Sequence, residues 1–518
     1  MKILSCVFPI NLGKPLRNAE SIMEIMDKNE SDIYLFPAYA ITGSSCGQLF
    51  SYKAFNEITD KALEMLCEYT EKSKKTLITS IHNSNIIISK GDLNKKGKIV
   101  LEGKTIIVSD NGDEKADIIL LPTAMPGYPC IQNDVIEYCA AASLKKNCVI
   151  AVANSGFGES VSDNVYKGFA GIFKNGVIID FFNQDKPEII YAKADYTKET
   201  GISYTRKPAQ LDRIPYYGKN EPSRYLSELF LLQTEALYSR LKSSGIKKVA
   251  INISGGLDST LALLVADNAM KMAELPAENI IALTLPGFGT SERTKKNAKN
   301  IMNELKTTSI EINIKDAVTG HLKDIGHDIA LKDVVYENAQ ARERAQVLFD
   351  VANKYNALAL GTGDMSEAAL GFCTFAGDTL CHYNVNATVP KTLVRETVKL
   401  IASKKDGVLR ETLLDITETP ISPELKEDQK TEDIIGPYIL HDFFMYYFAK
   451  HKLPVAEIEH YALATFEEYS QQEIDKWLEV FFTRFSKSQY KRSSAPEGAN
   501  IIGFILPYFP TDLNPEFM

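Results

Sequence analysis

The chain lacks several patterns that would place it in common protein classes. Its 518 residues contain no apolar run that approaches the about 20 residues of a membrane-spanning helix. It also lacks a Gly-x-x-x-x-Gly-Lys-Ser/Thr motif, the phosphate loop of kinases and GTPases. We therefore expect no membrane span and no phosphate loop of that type.

The cysteines and the charges exclude further classes. The eight cysteines show no Cys-x-x-Cys spacing, so neither a zinc site nor a disulfide framework is indicated, and a reducing cytoplasm fits best. The 58 basic and 67 acidic residues give a net charge of −9, which argues against nucleic-acid binding. The start MKILSCVFPINLG breaks at Pro9 and predicts a first strand rather than a signal peptide.

The length and the hydrophobic patterning predict two α/β domains. A chain of this length is too long to fold around a single hydrophobic core. In residues 1–196 short apolar runs alternate with helical stretches, which predicts a layered α/β domain. Residues 197–223 are polar and proline-punctuated and indicate a linker. Residues 224–518 repeat a strand-helix-strand pattern, which predicts a doubly wound parallel sheet with ligands at the carboxyl ends of its strands.

One stretch of the second domain, from Lys247 to Met270, carries the strongest chemical signal. An apolar strand runs into Ser-Gly-Gly-x-Asp-Ser and then into a helix. The paired Gly255 and Gly256 allow close approach of a ligand, and the helix start favours an anion. Ser254 and Ser259 add hydroxyl donors. Asp258 would repel phosphate unless a divalent cation lies between them, which indicates Mg²⁺.

This loop resembles the pyrophosphate-binding loop of the ATP pyrophosphatase superfamily. The resemblance narrows to the NAD synthetases because further segments agree: NAQARERAQVLFDVAN, GTGDMSEAALGFCTFAGD, YNVNATVPKTLV, QKTEDIIGPYILHDFF and YKRSSAPEG. It implies an adenine nucleotide alpha hydrolase-like domain with C-terminal helices. It also implies that nicotinate adenine dinucleotide is amidated to NAD at the expense of ATP, with release of AMP and pyrophosphate.

The resemblance also implies roles for individual residues. Asp258 and Glu367 would hold Mg²⁺, and Thr362 would contact the nucleotide. Lys391 would neutralise charge on the reacting oxygens, and Asp378 would hold ammonium and take its proton. The positions that would bind the substrate dinucleotide are Asn338, Arg342 and Lys491. Lys491 and Arg492 would close over the diphosphate as a lid. A homodimer or higher homo-oligomer is expected.

The first domain resembles the nitrilase-like amidase domain of glutamine-dependent NAD synthetases in SDIYLFPAYAITGSSCGQLF, ADIILLPTAMP and VIAVANSGFGESVSDNVYKGFAGIFKNG. The family's catalytic glutamate and cysteine align with Ala38 and Ser109, and the insertion that carries the catalytic lysine is missing. Glutamine hydrolysis needs a thiolate nucleophile and a carboxylate base. We therefore expect an inactive amidase domain and the use of free ammonia.

Two other hypotheses stay open. One is a glutamine-dependent enzyme with a rewired amidase site, for which Cys46 and Cys130 are spare thiols. The other is a dinucleotide-binding regulator without catalysis, against which the joint presence of four residues argues: Asp258, Glu367, Lys391 and Asp378. A separate glutaminase partner that donates ammonia also stays open.

Overall fold

The computed structural model divides the chain into two compact units, Met1–Lys207 and Pro208–Met518. It describes residues 1–81, 84–110, 112, 114–160, 164–195, 201–203, 211–422, 425 and 431–507. Of the predicted linker, residues 197–200 and 204–210 lie outside this part. The rest of the predicted linker includes a short 3-10 turn, Pro215–Tyr217, in which both tyrosines are buried.

The described residues of the first unit form two β-sheets and three α-helices. One sheet has six strands in the order β12-β1-β2-β3-β4-β5, and the other has seven in the order β13-β11-β10-β9-β8-β7-β6. The helices are α1 (Pro15–Lys28), α2 (Lys53–Ser73) and α3 (Ile131–Lys146). The strands are β1 (Lys2–Val7), β2 (Ile33–Ala38), β3 (Thr76–Ile81), β4 (Ser84–Ser89), β5 (Asp92–Asn94), β6 (Lys98–Leu101), β7 (Lys104–Val108), β8 (Ile118–Thr123), β9 (Val149–Asn154), β10 (Phe169–Lys174), β11 (Val177–Asn183), β12 (Ile190–Asp195) and β13 (Ile202–Ser203).

The hydrophobic pattern of this unit explains its layers. Strands β2, β3 and β9 are buried at every position, so their apolar runs show no alternation. A shared core between the sheets includes Ile33, Ile78 and Ala151. Each helix packs on the outer side of a sheet, as the cores that contain Ile22 and Cys139 show. The predicted layered α/β domain is confirmed.

The second unit is built on one parallel sheet of five strands in the order β16-β15-β14-β17-β18. These strands are β14 (Val249–Asn252), β15 (Ile280–Thr284), β16 (Thr308–Glu311), β17 (Leu358–Gly361) and β18 (Tyr383–Asn384). The doubly wound parallel sheet is confirmed.

Helices cover both faces of this sheet. Residues of α7 (Lys315–Asp324) and α8 (Val334–Tyr355) pack on one face, in a core with Ala250 and Ile281. On the other side, α4 (Pro222–Ser244) and α5 (Leu257–Met272) pack against each other and against α10 (Lys391–Ser403). The other helices are α6 (Glu292–Glu304), α9 (Met365–Leu370), α11 (Gly407–Glu418), α12 (Thr431–Ile435), α13 (Tyr438–Met445), α14 (Val455–Thr465), α15 (Gln471–Lys487) and α16 (Gln489–Arg492).

The C-terminal helices pack around their own aromatic side chains. Phe443, Phe444, Phe481 and Phe485 are buried, and their rings contact one another or neighbouring aromatic residues. The aromatic content of this segment is thus accounted for within the unit, and the homodimer stays a prediction. Among the described residues, no helix is both long and apolar enough to cross a membrane.

Candidate active site

The loop that follows β14 is held in a conformation that requires glycine. Gly255 has a φ of +85°, a left-handed conformation that L side chains rarely adopt. A Cβ atom at this position would lie 1.9 Å from the carbonyl oxygen of Thr294 in α6. The loop therefore rests directly on the backbone of α6, which leaves its opposite side free for a ligand.

Hydroxyl groups close this loop internally. The Oγ atoms of Ser254 and Ser259 lie 3.1 Å apart, and Ser254 Oγ accepts a hydrogen bond from Gly256 N at 3.1 Å. Gly256 is the N-cap of α5, so the first turn of that helix follows immediately. The loop thus combines hydroxyl groups with a helix N-terminus, an arrangement that suits an anion.

A cleft of about 210 Å³ opens beside this loop at the carboxyl ends of β14, β15 and β17. Its position is where ligands bind in doubly wound sheets. It is lined by six residues that the sequence singled out and by the guanidinium-bearing Arg344, which it did not. The six are Ser254, Asp258, Ser259, Thr362, Glu367 and Asp378.

A buried lysine joins three carboxylates at the base of this region. Lys391, the first residue of α10, is 1% exposed. Its Nζ lies 2.6 Å from Asp258 Oδ2, 2.8 Å from Glu367 Oε1 and 3.0 Å from Asp364 Oδ2. Residues separated by up to 133 positions in the sequence thus meet at a single point.

Asp364 belongs to this cluster but was missed by the sequence reasoning. It is the N-cap of the short helix α9, where it forms a capping box with Glu367. Its sequence pattern, Asp-x-x-Glu in GDMSE, is a common helix start. This pattern indicates a helix cap and does not indicate a role in the cleft. The capping box fixes both carboxylates to one helix turn, so they face Lys391 together.

Burial and charge shift the protonation equilibria of this cluster. Burial raises the pKa of Asp364 well above its usual value and that of Glu367 to about 7. Burial alone would lower the pKa of Lys391, but Asp258, Asp364 and Glu367 together raise it well above normal. The ammonium therefore stays charged and holds the acidic side chains together.

The same carboxylates fit a hard divalent cation. One oxygen atom of each of Asp258, Asp364 and Glu367 lies within 4.8 Å of the others. Asp258 Oδ1 is buried and accepts no hydrogen bond from the described residues. Since Mg²⁺ prefers oxygen ligands, these three side chains would hold it.

The predicted dinucleotide and ammonium positions are joined through one loop. Asp378 accepts a hydrogen bond from Thr374 N at 2.6 Å, and Asn338 Oδ1 accepts one from Thr374 Oγ1 at 2.9 Å. Arg342 donates to the carbonyl oxygen of Phe375 at 3.4 Å. Helix α8 thus anchors the loop that brings Asp378 to the cleft.

Two further buried residues organise the site and carry no sequence signal of their own. Asn386 Nδ2 donates to the carbonyl oxygens of Asp258 and Thr362, both at 3.0 Å, and so ties the loop after β14 to the loop after β17. Asp442 accepts hydrogen bonds from the Ser366 hydroxyl and from Thr392 N, the latter at 2.7 Å. It thereby joins α9 to α10, which carry Glu367 and Lys391.

Lys491 is not among the residues that line the cleft, although it lies near Phe372 and Asp378, which are. Its Nζ donates to the carbonyl oxygens of Gly371 and Cys373 at 2.8 and 2.7 Å. Arg492 donates to the carbonyl oxygens of Ala368 and Ala369 at 3.3 and 3.2 Å. Both side chains neutralise the C-terminal end of α9, so in this structure they support the helix that carries Glu367. A contact of Lys491 with substrate stays a prediction.

In the first unit, the two aligned amidase positions offer neither a thiol nor a carboxylate. Ala38 is the buried last residue of β2. Ser109 follows β7, and its buried hydroxyl donates to the Glu114 carboxylate and accepts from Gly112 N at 2.8 Å. This serine is thus held in a turn by its own hydrogen bonds.

Other reactive groups of this unit lie elsewhere. Glu159 is buried, accepts a hydrogen bond from Ser44 N, and has an Oε2 atom with no partner among the described residues. Burial raises its pKa to about 7. Cys46 is also buried, which raises the pKa of its thiol to about 11, and its Sγ donates to Thr42 O at 3.1 Å. The sequence reasoning noted Cys46 but overlooked Glu159.

Comparison with known proteins agrees with this geometry. A family model described as NAD synthase matches residues 231–495. The glutamine-dependent NAD(+) synthetase of Mycobacterium leprae is 32% identical over 70% of this chain and 63% of its own length. This chain therefore spans less than two thirds of that curated relative.

Two solved structures share the architecture of the whole chain. The glutamine-dependent NAD(+) synthetase of Cytophaga hutchinsonii superposes with a TM-score of 0.76 at 16% identity and covers 99% of this chain and 97% of its own. The enzyme of Acinetobacter baumannii, solved in complex with adenosine diphosphate, gives 0.69 at 19% identity and covers 98% of both chains. The expected fold, a nitrilase-like domain followed by a parallel-sheet synthetase domain, is confirmed. With the family match over the second unit, it follows that the chain belongs to the NAD synthase family.

Proposed function

We propose that this protein is an NAD synthetase that amidates nicotinate adenine dinucleotide with ATP. The observation that carries the proposal is one cleft in which the Ser254–Ser259 loop lies beside Lys391 and its carboxylates. An anion-binding loop next to a charged lysine and a site for a hard cation is what adenylation of a carboxylate needs.

The reaction would proceed in two steps. The carboxylate oxygen of nicotinate adenine dinucleotide attacks the α-phosphorus of ATP, and the bond to pyrophosphate breaks. Ammonia then attacks the acyl carbon of the mixed anhydride, loses a proton and expels AMP. Adenylation is required because a free carboxylate is a poor electrophile.

Each residue of the cleft has a role in this proposal. The Ser254–Ser259 loop receives pyrophosphate, and Thr362 contacts the nucleotide. Lys391 neutralises charge that develops on the transferred phosphoryl group, and Asp378 accepts the proton of the attacking ammonia. Bound by Asp258, Asp364 and Glu367, Mg²⁺ would supply charge neutralisation of the phosphates.

The dinucleotide is expected beside α8. Asn338 and Arg342 lie one helical turn apart and are already joined to the loop of Asp378. This arrangement supports a substrate position in which the nicotinate carboxylate faces Asp378. Lys491 would first have to leave the carbonyl oxygens of Gly371 and Cys373, so the proposal does not depend on it.

Two observations bear on the nitrogen donor in opposite ways. The relative and the two structures named above are glutamine-dependent, which favours glutamine over our expectation of free ammonia. Ala38 and Ser109 cannot perform glutamine hydrolysis as aligned, which favours ammonia. Glutamine use would require a thiol and a carboxylate from other positions, for which Cys46 and Glu159 are the candidates.

The test is NAD formation from nicotinate adenine dinucleotide, ATP and Mg²⁺, with ammonium chloride or ammonia-free glutamine in separate reactions. Activity with ammonium supports the synthetase assignment, and its absence with both donors contradicts it. If glutamine also serves, Cys46→Ser should abolish that activity and leave the ammonium-dependent rate intact, and Cys130→Ser tests the other spare thiol in the same way. If Cys46→Ser keeps the glutamine-dependent activity, Cys46 is not the nucleophile.

A further inference from the structure

The ammonium group of Lys391 occupies the point on which three carboxylates converge. Its Nζ is within 3.0 Å of an oxygen of Asp258, Asp364 and Glu367. These are the same side chains whose oxygens lie within 4.8 Å of one another and suit a divalent cation. The lysine and the cation therefore compete for one set of ligands.

The cluster has more carboxylate oxygens than donors. Three carboxylates face a single ammonium group. Asp258 Oδ1 is buried without a hydrogen-bond partner, and Asp364 Oδ2 has only the ion-pair distance to Lys391 without hydrogen-bond geometry. Buried carboxylate oxygens without partners are costly, so the site has unused capacity for a cation.

The backbone of Lys391 is fixed, and its buried side chain is held in this position by the three carboxylates. Lys391 N donates to Ser366 Oγ at 2.9 Å, and the Ser366 hydroxyl in turn donates to Asp442. Loss of the carboxylate contacts would therefore move the ammonium about a fixed Cα. A cation that takes the carboxylate oxygens would repel the ammonium along this path, toward the cleft.

We propose that Lys391 holds the carboxylates of Asp258, Asp364 and Glu367 in place of the divalent cation in the nucleotide-free protein, and that the incoming cation displaces the ammonium toward the substrate. This rests on the proposed function, because it assigns a resting position to the lysine that the reaction uses. Before ATP binds, the ammonium holds the acidic side chains in position. After the cation binds, the ammonium moves toward the substrate, where it can neutralise phosphate charge.

The test measures Mn²⁺ binding without nucleotide, by electron paramagnetic resonance of free Mn²⁺. Lys391→Met removes the competing charge and is expected to bind Mn²⁺ about tenfold or more tightly than the parent protein. Lys391→Arg keeps the charge and is expected to bind as weakly as the parent. Lys399→Met, on an exposed face of the same helix, is the matched control and should change nothing.

Thermal unfolding gives a second readout. Without a divalent cation, Lys391→Met should unfold at a lower temperature than the parent, and Mn²⁺ or Mg²⁺ should restore most of the loss. If the variant folds only in the presence of the cation, that dependence supports the exchange. Equal Mn²⁺ affinity of Lys391→Met and the parent, or a loss of stability that no cation restores, would overturn it. Neither readout needs substrate or turnover, so failure of the proposed function would be seen separately in the NAD assay.

Discussion

Replacement of Gly255 by alanine should destabilise the second unit through a single added methyl group. The new Cβ would lie 1.9 Å from Thr294 O, 2.8 Å from Thr294 C and 3.1 Å from Ala298 N. These are backbone atoms of α6, which cannot rotate away as a side chain does. The loop would have to retreat from the helix by more than about 1 Å to restore ordinary van der Waals separation.

The expected cost follows from two contributions. A left-handed backbone costs a residue with a Cβ about 1 to 2 kcal/mol, and an overpacked contact costs about 1 to 3 kcal/mol. The sum, about 2 to 5 kcal/mol, corresponds to a fall in Tm of roughly 3 to 8 °C for a domain of this size. Because the displaced loop is the proposed pyrophosphate cradle, ATP binding should weaken as well.

Gly256→Ala is the matched control for this prediction. Gly256 has a φ of −90°, and the nearest atom to its added Cβ is Ser254 Oγ at 3.2 Å, a side-chain atom that can move. Differential scanning fluorimetry should therefore show a large loss for Gly255→Ala and a small one for Gly256→Ala. Equal Tm values for the two variants would refute the close packing of the loop on α6.

Three further predictions concern buried side chains. Asp442→Asn should lower the free energy of unfolding by about 2 to 3 kcal/mol and lower kcat more than it raises KM for ATP, because an amide has one acceptor oxygen where the carboxylate has two, so either the Ser366 hydroxyl or Thr392 N–H loses its acceptor between α9 and α10. Thr392→Val, which removes only the hydroxyl bond of 2.6 Å, should lower kcat less in the same steady-state assay. Burial raises the pKa of Glu159 from 4.5 to about 7, so its stabilising contribution is present below pH 4.5 and is lost as pH rises through about 7. Glu159→Gln should therefore flatten the decline in Tm between pH 4.5 and about 7. An unchanged dependence of Tm on pH would contradict the raised pKa of Glu159. Arg492→Ala should lower the free energy of unfolding by about 2 to 4 kcal/mol in urea titrations. Arg492→Lys should restore only part of this loss. Lysine lacks the planar guanidinium that reaches several carbonyl oxygens and stacks on Phe485 at 4.0 Å.

The sequence predicts those parts of the site that lie within one short segment. The strand, loop and helix around Gly255 follow from a hydrophobic run, paired glycines and a second apolar run, and Asp258, expected in the loop, lies in the first turn of α5. These signals are local, and local sequence preferences are sufficient to read them. Glu367, in α9, is expected only from the resemblance to the NAD synthetases.

The sequence does not predict the contacts that form across the sheet. Asp364 reads locally as a helix cap, and Asn386 as one polar residue among many, yet both organise the cleft through partners far away in the chain. The resting position of Lys391 among three carboxylates depends on how α5, α9 and α10 meet. Periodicity and spacing contain no information about that meeting point.

In the first unit, the sequence predicts several continuous apolar strands but misses others, including the buried β10. Strands such as β2 and β9 are continuous apolar runs, whereas β11 is partly exposed along nearly its whole length and shows no clear pattern. The exposed Lys95 and Lys96 of GDLNKKGK lie between β5 and β6, which belong to different sheets, so they are not in a hairpin turn. Half-exposed strands have weak sequence signals because one face contacts solvent.

The central claim is that the cleft around the Ser254–Ser259 loop adenylates a carboxylate, and an isotope experiment tests it most directly. Nicotinate adenine dinucleotide labelled with ¹⁸O in its carboxylate would be converted with ATP, Mg²⁺ and ammonium, and the products analysed by mass spectrometry. The account predicts one ¹⁸O atom in AMP and none in pyrophosphate. Unlabelled AMP, or label in orthophosphate or pyrophosphate, would contradict it.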